Sequence, residues 1–438
     1  MGTRAATAAG AGGLAVSVLH AAVPLFLTLI ALEWMAGRRR GRRVYLLYDS
    51  VTDLGCGILS QIVGVFLAVI SLGAYRYVAE HAALHRYLDV PAWPLGGPLT
   101  SWQASAAWLA VFALVDFGQY WVHRASHRVS VLWACHLVHH SSEELNYAVA
   151  LRNSSLHGVF LWVVPLPLAV AGVPWKVFAV CYGLNVAYQF FLHTRVIGSL
   201  GPIEAVFNTP SHHRVHHGRD AEYLNRNFAG VLIVWDRLFG TFTRETREPV
   251  YGVSPRVSGS NPVWTNLWGF DAIRREMGRS PSLRGKLQAV FGPPGWREPA
   301  EPLTAGAGGG GGRLVMVYAL AQFLALLLLT VGSLEALGRA PLWDVAAFGV
   351  LAALTLTGVG GALDAKPWVL RFEVIRLASV GAVCLIPRFR DSVFLPADLV
   401  LPYVALSLAA LLLVIVAERP PASPSWPVGP LENSDSIV

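Results

Sequence analysis

The chain has 438 residues, of which only 14% are charged, with a formal net charge of +7 and a mean hydropathy of +0.49. This balance excludes an ordinary soluble multidomain protein and indicates an all-α, polytopic membrane protein. The four cysteines, Cys56, Cys135, Cys181 and Cys384, lie in or beside apolar runs with no CxxC pair, which argues against a disulfide framework or a thiolate zinc site; the basic excess sits in arginine clusters flanking apolar segments, and no nucleic-acid motif is present.

The first apolar run, Leu14 to Met35, is too long for a signal-peptide core and ends in arginines, so it reads as a retained span. Arg38, Arg39, Arg40, Arg42 and Arg43 follow, and the positive-inside rule places them in the cytoplasm. Val51 to Ala74 crosses back. Tyr75 to Ser101 reads as an external or interfacial segment, and its His81 and His85 are expected on a solvated helix face. Residues 1–101 thus form an N-terminal membrane unit.

A third span, Trp102 to about Trp121, opens a region extending to residue 245 and delivers His123 to the cytoplasmic surface. Asp116 and Tyr120 share its stripe with His123 and His127. An aspartate there is either an outer partner of a ligand histidine or a helix-end residue meeting water or an arginine. Gly158 to Val173 and Val177 to Leu192 are expected as a two-span hairpin ending at His193. Pro202 to Thr243 is too polar to span, apart from a moderately apolar Phe228 to Phe239. Residues 246–312 form a polar cap over the histidine side, ending in the flexible GAGGGGG stretch, Gly306 to Gly312. Four apolar runs near Leu314–Leu334, Leu342–Leu363, Leu370–Ile386 and Leu399–Val416 make a histidine-free C-terminal bundle within residues 313–417. Four crossings would put Arg388 and Arg390 outside, so the third run is expected to be re-entrant or interfacial. Residues 418–438, rich in Pro and Ser, read as a disordered tail.

Chemistry concentrates in the histidines. His123 and His127, then His136, His139 and His140, then His212, His213, His216 and His217 recur at i, i+3 or i, i+4 spacing, so each group can share a helix face. With His193 they make ten candidate ligands on one membrane side; His157 is a less certain neighbour. Ten imidazoles exceed what one ion uses, which points to two metal ions. A structural zinc site would close at four ligands and recruit cysteine, whereas redox iron needs open positions for dioxygen. Such a centre against the bilayer suits hydroxylation of a lipid C–H bond. Membrane metal binding or transport is disfavoured, because the spans are nearly free of ionisable residues. A bis-histidine haem carrier would use too few of the histidines.

HRASH, HLVHH and SHHRVHH match the three histidine boxes of the fatty acid hydroxylase and sterol desaturase superfamily of membrane di-iron enzymes. The runs WVHRASHRVSVLWACHLVHHSSEELNYAVALRNS, YQFFLHTRVIGSLGPIEAVFNTPSHHRVHHGRD and NFAGVLIVWDRLFGTF, with GPPGW, are similar to the alkylglycerol monooxygenase family over roughly Trp102 to Trp296. The resemblance implies two irons held by the ten histidines, dioxygen as co-substrate, a membrane lipid substrate and a separate electron donor, a pterin or a redox protein. It also implies hydroxylation beside an ether oxygen, giving a hemiacetal that collapses to an aldehyde and a glycerol derivative, with tetrahydrobiopterin as reductant. A sterol, carotenoid or fatty-acyl lipid is the alternative substrate. Arg128 stands where that family usually carries a glutamate, and a cation cannot keep a carboxylate's role, so either Glu143 or Glu144 stands in for it or the substrate differs. Gln189, one turn before His193, matches the ether-lipid branch rather than fatty acid 2-hydroxylases.

Overall fold

The computed structural model describes residues 24–88, 92–96, 100–294, 312–390, 392, 394 and 396–417. The expected tail over 418–438, most of the Gly-rich linker and the first part of the expected first span lie outside these residues. What is described of that span is a helix over 24–39 (α1) that ends in the arginine run. Among the described residues the fold is helical, and the sole extended pairing is one antiparallel bridge between Phe207 and Leu232.

Helix α2, Leu47–His81, has 35 residues. At 1.5 Å per residue it is about 53 Å long, well beyond a hydrocarbon core of about 30 Å. It therefore extends past the expected span at both ends. Its early turns carry Asp49 and Asp53 to the level of the histidines. Its other face packs Val51, Ile58, Leu59 and Ile62 against the C-terminal bundle, joining Phe348, Leu356, Leu377 and Leu411 in one core.

Helix α3, Trp102–Ser126, carries His123 in its last turn, and α4, Ser130–His140, turns back beneath it. The expected hairpin forms as broken helix, with its turn at the far end of α2, where Tyr75 Oη donates to Val173 O at 3.0 Å. Pro165 and Pro167 interrupt its first arm, leaving the short helices His157–Leu161 and Leu166–Val170. The second arm, α5, Trp175–Phe190, has 16 residues, about 24 Å, too short to cross alone. It packs Val177 and Cys181 on Val111 and Val115, alongside α3. Helix α6, Pro210–His217, is wholly buried, with Pro210 at its first turn, where a missing N–H costs nothing.

The polar cap forms α7, Pro262–Arg279, and α8, Leu283–Phe291. Asn261 caps α7 by accepting from the Val263 and Trp264 amides at 2.9 and 3.3 Å. As expected, this segment lies over the histidine helices. Gly269 meets α4 so closely that a Cβ there would stand 2.6 Å from the Ala134 Cα. The bundle comprises α9, Arg313–Gly332, α10, Leu342–Leu363, α11, Val369–Cys384, and α12, Ala397–Ala417. Among the described residues, five helical stretches are long and apolar enough to cross a membrane, those of α2, α3, α9, α10 and α12. Helix α11, with 16 residues and an internal Arg376–Glu373 pair, is not one of them.

Gly269→Leu would force α7 off α4. We expect a loss of about 1–3 kcal/mol, read as a lowered thermal midpoint in detergent.

Candidate metal centre

Nine of the ten sequence candidates converge. His123, His127, His136, His140 and His216 form one group, and His139, His193, His213 and His217 a second; within each, one nitrogen per ring lies within 4.8 Å of the others. Helical spacing explains the sorting. On α4, His136 and His140 face one group while His139, between them, faces the other. On α6, His213 and His217 share a face, and His216 reaches across to the α3 side. The groups abut, with the His140 and His217 rings stacked at 4.4 Å.

His212 joins neither group. It packs against Phe242 at 5.3 Å between centroids, and its carbonyl accepts from Asn227 Nδ2 at 3.0 Å. His157 flanks the first group, with its ring 5.8 Å from that of His136 and its Nε2 3.5 Å from Ser126 Oγ. His81 and His85 are exposed, as expected of a solvated face.

Backbone carbonyls fix the ring tautomers. The Nδ1–H of His123 donates to Phe228 O at 2.7 Å, that of His193 to Gln189 O at 2.8 Å, that of His216 to Arg226 O at 3.0 Å and that of His139 to Arg152 O at 3.3 Å. A neutral ring that donates from Nδ1 presents a bare lone pair at Nε2. His139 and His193 are both fixed in this way, yet their Nε2 atoms are 3.1 Å apart. Two lone pairs at that distance repel unless a cation lies between them. Charging one ring would not relieve this, because burial pulls the imidazoles of His136, His139, His140, His213, His216 and His217 well below their usual value, and it holds His193 down to about 4. The donor set therefore fits metal ions.

The spacing bears on coordination number. The Nε2···Nε2 contacts run from 2.9 to 3.2 Å. With metal–nitrogen bonds of about 2.1 Å, adjacent ligands stand about 3.0 Å apart in an octahedron and about 3.4 Å in a tetrahedron. With contacts of 2.9 to 3.2 Å inside groups that spread over as much as 4.8 Å, the nitrogens are close enough to share an ion in either arrangement.

Several supporting residues escape sequence reading. Buried Arg152 donates Nη1 to Asp49 and Asp53 at 3.0 and 2.8 Å and Nε to Val138 O at 2.8 Å, while its own carbonyl orients His139. Asp236 accepts from the Ala229 amide at 2.8 Å, fixing the peptide whose carbonyl orients His123. Glu33 accepts from Thr194 Oγ1, beside His193, and from the Tyr147 amide at 2.9 Å. The signal available was a lone acid within an apolar run and an i, i+4 acid pair at a helix start, but nothing local names their partners.

Asp116 contacts no histidine. It accepts from Asn185, the Val231 and Leu232 amides and Trp235 Nε1 at 2.7 to 3.0 Å. Gln189 Nε2 donates to Asn185 Oδ1 at 2.7 Å, so the chain of contacts reaches the residue whose carbonyl orients His193. The helix-end alternative of water or an arginine also fails. A Cβ at Gly230 would stand 2.9 Å from Asp116 Oδ1, which explains glycine at that position. Arg128 is exposed at the α3–α4 turn. Glu143 and Glu144 lie beyond the far end of α4, paired with Arg256 and Arg195, so neither stands in for a carboxylate at position 128.

Residues 108–241 match the family model described as fatty acid hydroxylase. The chain is 34% identical to alkylglycerol monooxygenase of Homo sapiens, covering 81% of this chain and 80% of that protein, and 34% identical to alkylglycerol monooxygenase of Xenopus tropicalis, covering 75% and 73%. It is 30% identical to an ornithine lipid hydroxylase of Rhizobium tropici over 40% of this chain and 50% of that one. No solved structure matches. Fold, histidine groups and these likenesses together define an integral-membrane, metal-dependent lipid monooxygenase that uses dioxygen. Within that class, the chain belongs to the alkylglycerol monooxygenase family.

The depressed imidazoles set a pH dependence for the metal-free protein. Unfolded histidines take up protons near pH 6.5, whereas folded His193 does so only near 4. Stability is therefore complete above about pH 6.5 and falls progressively toward pH 4. Thermal midpoints measured from pH 7.5 down to 4.5 should decline across that window.

Proposed function

We propose that His123, His127, His136, His140 and His216 hold one iron and that His139, His193, His213 and His217 hold a second, for hydroxylation of an alkylglycerol lipid beside its ether oxygen. The facing bare nitrogens of His139 and His193, 3.1 Å apart, carry this reading. Nine nitrogens shared between two ions would leave positions open on a six-coordinate metal, which suits iron better than closed tetrahedral zinc. His212 is better assigned to supporting α6 than to a metal.

When bound, the metal pair supplies the activation of dioxygen needed to attack an unactivated C–H bond. The chain contributes orientation and shielding. Carbonyls of Gln189, Arg152, Arg226 and Phe228 hold four rings in the ligand tautomer, and buried Phe228 and Trp133 pack against His127 to keep water from the first group. The oxidised carbon would become a hemiacetal, whose collapse to an aldehyde and a glycerol needs proton transfer but no further redox step. The family relationship favours tetrahydrobiopterin as electron donor. A cytoplasmic position for the histidines is supported by Arg40, whose Nη1 donates to Val196 O at 2.7 Å and so ties the arginine run to the segment leaving His193.

Purified protein should carry about two irons per chain and turn over an alkylglycerol with pterin and dioxygen. His136→Ala should lose metal and activity together, whereas exposed His81→Ala keeps both. Full metal content after substitution of each group in turn would refute the ligand assignment. Turnover of a sterol or fatty acyl lipid in place of the ether would refute the substrate.

A further inference from the structure

A cleft of about 500 Å³ opens beside the histidine centre, between the arginine run and the segment that follows His193. Arg40, Arg42, Arg195 and Arg214 line it, with Glu245 and Glu248. The carboxylates are already engaged. Arg214 grips Glu245 with Nε and Nη2 at 2.6 and 2.7 Å and spends Nη1 on the Thr194 and Ile197 carbonyls. Arg195 is shared between Glu144 and Glu248. Arg40 is tied only by Nη1 to a carbonyl, and among the described residues no carboxylate stands within ion-pair distance of Arg40 or Arg42. The cleft thus keeps excess positive charge with guanidinium donors to spare, a donor type that matches phosphate oxygens two at a time.

Its rim is apolar and exposed. Ile197 on the wall leads to Leu200, Ile203, Val206 and Phe207, each between 40 and 51% exposed. On the other side Trp34 is 46% exposed beneath the Arg38 guanidinium, which lies 5.1 Å from the ring centroid. A second cleft of about 360 Å³ shares Arg42 and includes Trp34, Arg38 and Arg43. Tryptophan and arginine side by side mark headgroup depth, and the apolar strip suits acyl chains rather than water.

We infer that this arginine cleft binds the phosphate of a membrane phospholipid headgroup, with the lipid's chains along the 197–207 strip. The site lies next to the metal centre but uses none of its histidines, so its failure would leave the catalytic reading intact.

The test is binding of fluorescent phosphatidic acid and of phosphatidylcholine with the same chains to the full-length, metal-loaded protein in micelles of a neutral detergent. Wild type should prefer phosphatidic acid by about tenfold or more, and Arg40→Gln with Arg42→Gln should lose about fivefold per arginine. Iron content should stay unchanged. Because Arg40 also braces Val196, Arg42→Gln alone carries the test if the double variant does not fold. Equal binding of the two lipids, or an undiminished preference in a folded variant, overturns the inference. Displacement of phosphatidic acid by millimolar inorganic phosphate would instead assign the cleft to free phosphate and overturn the lipid source.

Discussion

Nine imidazoles converge in two groups, the bare Nε2 lone pairs of His139 and His193 face each other at 3.1 Å and repel, and burial denies these rings the protons that would ease the repulsion in water. Such an arrangement persists only if a cation sits among them or the surrounding chain holds them by force. Here the second requirement is met by backbone: four rings are pinned through Nδ1 to main-chain carbonyls, and three of those carbonyls belong to residues that buried Arg152, Asp236 and the Asp116–Asn185–Gln189 chain hold in place. The outer polar residues are costly to bury, and each is satisfied several times over, so they specify one geometry more than they stabilise it.

The same logic recurs at a distance in the C-terminal bundle. Fully buried Arg376 donates to Glu373, Thr355 and Gln322, and Tyr318 adds a bond to Glu373 at 2.7 Å, which joins α9, α10 and α11 through polar contacts in an apolar setting. Glycine at 358 makes room, because a Cβ there would collide with Glu373 Oε1. Helix α2 links this bundle to the histidine centre. One face contributes to the bundle core, and the early turns supply the carboxylates that neutralise Arg152. A shift of the bundle would therefore be felt at His139 through two steps of packing.

Much of this is written locally in the chain. Spacing of three and four on helices puts His136 with His140 and His213 with His217 before any folding is considered, and the number of imidazoles already implies two ions. Hydropathy alone finds four of the five long helices of the fold within two residues at their starts, and shows why α11, with an internal arginine and glutamate, differs. What could not be read is whatever depends on a partner far away in sequence. Asp116 meets Asn185 across 69 residues, and Arg152 meets Asp53 across 99. Hydropathy places the 158–192 hairpin but not the breaks that Pro165 and Pro167 impose on its first arm. His212 has the same spacing as its neighbours, and only the position of Phe242 separates it from them.

Cys135, adjacent to His136, is fully buried, and burial pushes its thiol up to about 12. The other three cysteines are buried and free as well. A thiolate beside chemistry that activates dioxygen would be the first group oxidised, but a protonated thiol with no access to solvent reacts slowly. Burial thus leaves a sulfur one residue from a candidate ligand both protonated and out of reach of solvent, the state in which a thiol is least open to oxidation.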